Sequence, residues 1–239
     1  MKKVLLRTVA IVVALLAALV FLGSQTDEFL YRQMISKGPG AISALGRVLD
    51  KSDAVSAAIL YTASSVAFGE NRLEDAGFLF YIARFRVRFD KAMFPPTGTG
   101  GNSPMLAFAA LQQQLGSVLN PTLMAEPKVF ARVLERVKPW TPKLTGLYKP
   151  GWDFAAKGNE SSARAEFEDG KKEFLKGLGG ICELLQDPAY FAAFSVVQDY
   201  SLKFDSSRPK KESCDAALET MGKIEKAKGI EGVSSLNKQ

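Results

Sequence analysis

The sequence predicts an all-α fold, and three observations predict it. Apolar residues recur three and four positions apart through most of the chain beyond residue 38, the spacing that gathers side chains onto one face of a helix. Proline, serine and aspartate stand repeatedly where such stretches begin, as helix N-termini require. Strand-like alternation is scarce, its clearest instance being Arg84 to Phe89.

Taken in order, Pro39-Gly40 precedes Ile42, Leu45, Val48 and Leu49, one apolar helical stripe. Ser52-Asp53 offers an N-cap for a helix running to about Phe68. Gly69-Glu70-Asn71 is a turn, and Arg72 to Asp75 begins a longer helix carrying Phe80, Ala83 and Val87. Two helices joined by so short a turn form an αα-hairpin. The segment Phe94 to Pro104, rich in proline and glycine, ends that helix, and Ser103-Pro104 caps and opens the next to about Leu115. Asn120-Pro121 and Glu126-Pro127 mark two further starts, the second followed by Phe130, Val133, Leu134 and Val137. Trp140 to Gly158 reads as a loop packed by its own aromatics. Ser162 caps a helix on which Phe167, Phe174, Leu178, Ile181 and Leu185 recur. Asp187-Pro188 opens another reaching Phe204, and Ser207-Arg208-Pro209 a last one with Cys214, Ala217, Leu218, Met221 and Ile224. The expected architecture is eight or nine helices arranged as antiparallel hairpins in a compact multi-helix domain over 25–228. A sub-boundary is possible at 140–158, and 229–239 forms a polar tail that frays.

The stretch from Tyr61 to Ala83 resembles a tetratricopeptide or Sel1-type helical hairpin, with Ala76, Phe80 and Ala83 matching the small–aromatic–small spacing of the second helix. The resemblance covers 53–93; no second copy follows at a 34-residue period, and the earlier Leu-Gly and Tyr positions are not kept. It implies an α-hairpin and partner binding.

Composition bounds the function. At 47% hydrophobic residues, sixteen of them Phe, the chain can fill a large core, which excludes global disorder. The formal charge of +6 is partly a property of the N-terminus: without Lys2, Lys3 and Arg7, 28 basic residues face 25 acidic ones, spread along the chain. A nucleic-acid binder concentrates its basic residues, so no nucleic acid is expected as a partner.

Residues 1–24 combine a basic start with an apolar run from Thr8 to Leu22. Fifteen residues suit a signal peptide and fall short of the roughly 20 that span a bilayer. Phe21-Leu22-Gly23-Ser24 nonetheless puts a bulky residue at −3 for either cut, so a cleaved signal and an uncleaved inner-membrane anchor both remain open. No cysteine follows the run, which excludes a lipoprotein anchor. Either reading places the remainder in a bacterial periplasm, soluble or tethered.

That compartment favours a disulfide between Cys182 and Cys214, the two cysteines of the chain. The closed loop of about 33 residues would contribute roughly 3–4 kcal/mol in the chain-entropy model. The absence of histidine removes the commonest general base and metal ligand, and no nucleophile elbow stands in its place; Ser235 to Lys238 matches Ser-x-x-Lys only formally, in the tail. No catalytic residue, metal ligand or cofactor site is therefore assigned. Glu166, Glu168 and Asp169 read as the wet side of a helix.

Phe78, Phe80, Tyr81, Phe85 and Phe89 exceed what one helical stripe can hold, so their helix is either buried on all sides or forms part of a binding groove. Arg84, Arg88 and Lys91 share one face at i, i+4 and i+7, suited to acidic groups of a partner or to an anion. Such an anion site would join the Gly98–Gly101 loop and the N-terminus at Ser103. The expected contact residues are Phe78, Tyr81, Arg84, Phe85, Arg88 and Lys91. The function expected is binding of a protein partner without catalysis, in the manner of an immunity or inhibitor protein against an effector. The alternative is an envelope enzyme or ligand-binding protein with carboxylates in a helical cleft.

Overall fold

The computed structural model describes residues 27–36, 38–98, 103–146 and 148–230; the leader and most of the tail lie outside the described residues. Among the described residues there are nine α-helices and no strand: α1 (Asp27–Ile35), α2 (Pro39–Asp50), α3 (Ala57–Gly69), α4 (Leu73–Met93), α5 (Pro104–Met124), α6 (Pro127–Val137), α7 (Glu160–Leu185), α8 (Pro188–Leu202) and α9 (Lys211–Lys228). The all-α expectation holds. Among the described residues no helix is long and apolar enough to cross a membrane.

The helix α4 is the axis of the molecule. It contacts α3, α5, α6 and α7, and Phe78, Phe80, Tyr81, Phe85 and Phe89 are all buried. The apolar excess read from the sequence is thus explained by burial on every side. Against α3 the turn is tight, and the Ser64 hydroxyl donates to the Ala76 carbonyl at 2.7 Å across the pair. At Gly77 an added Cβ would lie 2.9 Å from Leu123 Cδ1 and 3.0 Å from Val133 Cγ2, so glycine lets α5 and α6 close on the axis. Helix α6 is amphipathic as its stripe predicts, burying Phe130, Val133, Leu134 and Val137.

Several boundaries differ from the sequence reading. Helix α1 was not anticipated; it carries Asp27 and Glu28 in its first turn and buries only Leu30 and Met34. Helix α3 begins at Ala57 rather than after Ser52-Asp53, because the Asp53 carbonyl is committed elsewhere, accepting from Lys143 N at 2.7 Å and from Arg86. Helix α5 runs through Pro121 instead of restarting there. Buried Leu119 and Leu123 bracket the proline and hold both halves against the core, which outweighs the lost backbone bond. Asn159, not Ser162, caps α7, accepting from Ser162 N at 3.0 Å. Helix α8 ends at Leu202, leaving Phe204 84% exposed.

Residues 138–159 make a connection far longer than usual between helices. Their polar groups need partners, and α4 and α7 supply several of them. Arg86, fully buried, donates through Nη1 to the carbonyls of Asp53 and Lys143, each at 3.0 Å, and through Nε to the Tyr148 hydroxyl at 2.9 Å. Its guanidinium lies 3.7 Å from the Tyr148 ring centroid. Arg86 also pairs with Asp90 one turn on, to which the Tyr148 hydroxyl donates. Trp152 Nε1 donates to the Phe94 carbonyl at 2.8 Å, and Lys171 Nζ to the Trp140 carbonyl at 3.1 Å. The loop is stitched to the axis rather than left as a linker.

Burial is the larger influence on Asp90 and pushes its carboxyl up to about 6, against the pull of Arg86 and Tyr148. The network therefore does not rest on net charge attraction; its main effect is to satisfy loop carbonyls and fix their position.

The expected disulfide is corrected. Lys228, at the end of α9, lies 3.9 Å from Glu183 and 3.7 Å from Asp187, so that end of α9 sits beside Cys182. Cys214 is on the first turn of the same helix, about 21 Å away along its axis, well outside bonding range. Both thiols are free and buried. Cys182 accepts from Gln186 Nε2 at 3.5 Å, and burial pushes both thiols up. Helix α9 is held instead by its packing on α8 and by the Tyr190 hydroxyl, which donates to the buried Glu225 at 2.8 Å.

Three outcomes follow for stability. Arg86→Met leaves a buried carboxylate and two loop carbonyls without their donor and costs about 3–5 kcal/mol; adding Asp90→Leu recovers part of that loss, measured as a double-mutant cycle in urea. A folded-state carboxyl above its free value contributes stability that is present below about pH 4 and lost as pH rises through 6. The urea midpoint of the natural chain therefore falls relative to Asp90→Asn over that window and not above it. Thiol titration of denatured, unreduced protein gives two reactive thiols, and reduction leaves the melting temperature unchanged; a titre of zero would restore the disulfide.

Candidate functional site

Along a helix, residues two apart point to nearly opposite sides, whereas residues four apart share one. Arg84 and Arg88 therefore leave α4 on the side away from Arg86, toward a cleft between α5 and α7. Arg84 is half-buried, with its Cζ 4.4 Å from the Phe174 ring centroid. Phe174 in turn meets Phe85 edge-on at 5.4 Å and Tyr81 at 5.9 Å. Burial draws the Arg84 guanidinium below its ordinary value, opposed by Tyr61 and Tyr81, and Arg84 in turn opposes the rise that burial imposes on both hydroxyls.

Arg88 is exposed as a residue, yet its guanidinium rests against α7 at Gly170. A Cβ at that position would lie 2.1 Å from Arg88 Cζ, so only glycine provides the seat. The two arginines, with Phe85, Gln112, Gly170 and Phe174, line a recess of about 140 Å³. From Arg84 and Gln112 a wider cleft of about 430 Å³ continues along α5 past Gln113, Gly116, Ser117 and Asn120. Tyr81 anchors the far end, its hydroxyl donating to Asn120 Oδ1 at 3.2 Å.

The pairing of the arginines sets this cleft apart: among the described residues Arg47 and Arg208 lack a carboxylate but hydrogen-bond Gln33 and the Tyr200 carbonyl. Arg72, Arg86, Arg132, Arg136 and Arg164 each lie within ion-pair distance of a carboxylate. Among the described residues Arg84 and Arg88 have neither an ion pair nor a hydrogen bond. Two cations side by side without a counter-charge suit an anionic guest, and the guanidinium fork favours a carboxylate or phosphate.

The residues expected from sequence divide accordingly. Arg84 and Arg88 come together at the recess, and Lys91 is exposed one turn beyond. Tyr81 and Phe85 are floor beneath the cations rather than contact surface. Phe78 lies on another side, covered by Arg136 at 4.5 Å, which also holds Glu74 and Asp75. The Ser103 hydroxyl accepts from Met105 N as a cap, while residues 99–102 lie outside the described residues, so the joined anion site cannot be placed. Gln112, Gln113, Asn120 and Gly170 were not expected from the sequence as site residues. Their signals were available: a glutamine run in an otherwise apolar helix and a glycine inside a long one.

Glu166, Glu168 and Asp169 are exposed. The buried carboxylates Asp90 and Glu225 are engaged by Arg86 with Tyr148 and by Tyr190. No group of three or more acidic or cysteine side chains among the described residues could hold a metal ion. A second concavity of about 410 Å³, edged by Tyr31, Ile35, Leu111 and Val118 between α1, α3 and α5, contains no charged side chain. No family model, no curated protein and no solved structure matches the chain.

Proposed function

We propose that this chain is an exported or membrane-anchored helical protein that binds a protein partner in the bacterial periplasm and does not itself catalyse a reaction. The observation that carries the reading is the cleft between α4, α5 and α7, where Arg84 and Arg88 stand without a counter-charge. The basic start and apolar run of residues 1–24 support export or an inner-membrane tether, with the fold on the outer side. Within this reading the narrower role is that of an immunity or inhibitor protein, which needs a charged recognition surface and no cofactor.

The interface is tested in cells expressing the full chain from its own leader, with a photo-crosslinking residue at Gln113 beside the cleft or at Thr220 on α9, both exposed. A partner crosslinks from Gln113 and not from Thr220, and Arg84→Gln/Arg88→Gln lowers the yield at least tenfold. Crosslinking that is indifferent to both arginines, or equal from the two positions, would overturn the reading.

A further inference from the structure

The two parts of the cleft differ in chemistry, and the difference specifies a guest. Positive charge is confined to one end, where Arg84 and Arg88 line a recess of about 140 Å³. Small-molecule pockets run to roughly 300–1,000 Å³, so the recess suits a single side chain rather than a cofactor. Beyond it the lining is uncharged: Gln112, Gln113, Ser117 and Asn120. A polyanion such as a nucleic acid or a phosphorylated glycan carries charge along its whole length and would find cations at one end only.

Side-chain amides offer both a donor and an acceptor, the pairing that a polypeptide backbone presents at every residue. Gln112, Gly116 and Asn120 stand at i, i+4 and i+8 on one face of α5, a rail about 12 Å long. At roughly 3.3 Å per extended residue the rail matches three to four residues of peptide. Gly116 in the middle keeps the rail low, since it carries no side chain of its own.

We infer that the cleft takes an extended, acidic segment of polypeptide, with one carboxylate held between Arg84 and Arg88 and the following backbone hydrogen-bonded by Gln112, Gln113 and Asn120. This deepens the partner reading and rests on it. The guanidinium over Phe174 and the glycine seat at Gly170 hold the two cations at one point of the cleft before the guest arrives, which lowers the ordering cost of binding. Selectivity comes from the contrast between ends: an acidic side chain is required at one position, and lysine there is repelled.

The test uses the full chain purified in detergent and an array of random hexapeptides bearing Glu, Gln or Lys at one fixed position. Glu peptides are retained at least tenfold more than their Gln counterparts, and Lys peptides not at all. Arg88→Gln erases the preference, and so does Gly170→Ala, which keeps both arginines but denies Arg88 its seat; circular dichroism checks that each variant is folded. Equal retention of Glu and Gln peptides by the natural chain overturns the inference. Inorganic polyphosphate that binds more tightly than the Glu peptides overturns it in favour of a polyanion. Arginine-dependent crosslinking in cells without any preference for acidic peptides removes the peptide assignment while leaving the partner site standing.

Discussion

A single buried side chain holds three segments of this protein together. Arg86 leaves the central helix and donates to the carbonyls of Asp53 and Lys143, to Tyr148 and to Asp90. Each of those carbonyls belongs to irregular backbone that no helix could satisfy. An arginine is suited to the task because its five N–H donors lie in one rigid plane and reach several acceptors at once. Lysine would present a point charge and lose most of these bonds. With the loop 138–159 fixed in this way, Tyr148 packs on the axis, Trp140 meets Phe167 of α7 edge-on, and the start of α7 is set, because Gly158 N bonds the Met93 carbonyl at 2.7 Å. The position of α7 then determines where Gly170 and Phe174 meet α4. The cleft on one side of the axis thus depends on the buried network on the other.

The alternating run Arg84, Arg86, Arg88 makes the point compactly. On a strand all three would share one face and one fate. On a helix Arg86 turns away from the other two, and the same residue type serves two purposes two residues apart. Arg86 lies in a buried polar network, which settles local structure. Arg84 and Arg88 line an open recess and have no carboxylate within ion-pair distance among the described residues. The acidic residues at the start of α4 do not pair with them, since Glu74 and Asp75 at its N-terminus are already held by Arg132, Arg136 and Arg72.

Local signals in the sequence located most helices because caps and periodicity are local properties. Ser103 and Asp187 cap as their composition demands, and the stripe of α6 faces the core. What sequence could not resolve depends on packing between distant segments. Pro121 looks like a break until Leu119 and Leu123 are seen seated on both sides of it. The cysteine pair is the sharper case: compartment, parity and loop length all favour a bond, yet none of them carries the direction in which α9 runs along α8. That direction brings Lys228, not Cys214, to the end of α7. The cleft was half legible in the same sense. Its cations followed from helical spacing, whereas the amides of α5 and the seat at Gly170 required the tertiary arrangement.

The aromatics of α4 illustrate why a correct observation can attach to the wrong link of the argument. Their excess over one apolar stripe signalled something unusual about the helix, and contact with a partner was one explanation. Buried, they support the arginine that lines the cleft. Tyr81 and Phe85 back Phe174, and Phe174 backs Arg84, so a cation that would otherwise lose its hydration uncompensated rests on the faces of rings. Desolvation of this kind strengthens any ion pair the guanidinium later forms, because water no longer competes for its whole surface. An arginine in solution would be free to adopt many rotamers and would spend binding energy on being ordered. One stacked on a buried aromatic column spends less, and the same column that builds the core thereby prepares the cleft.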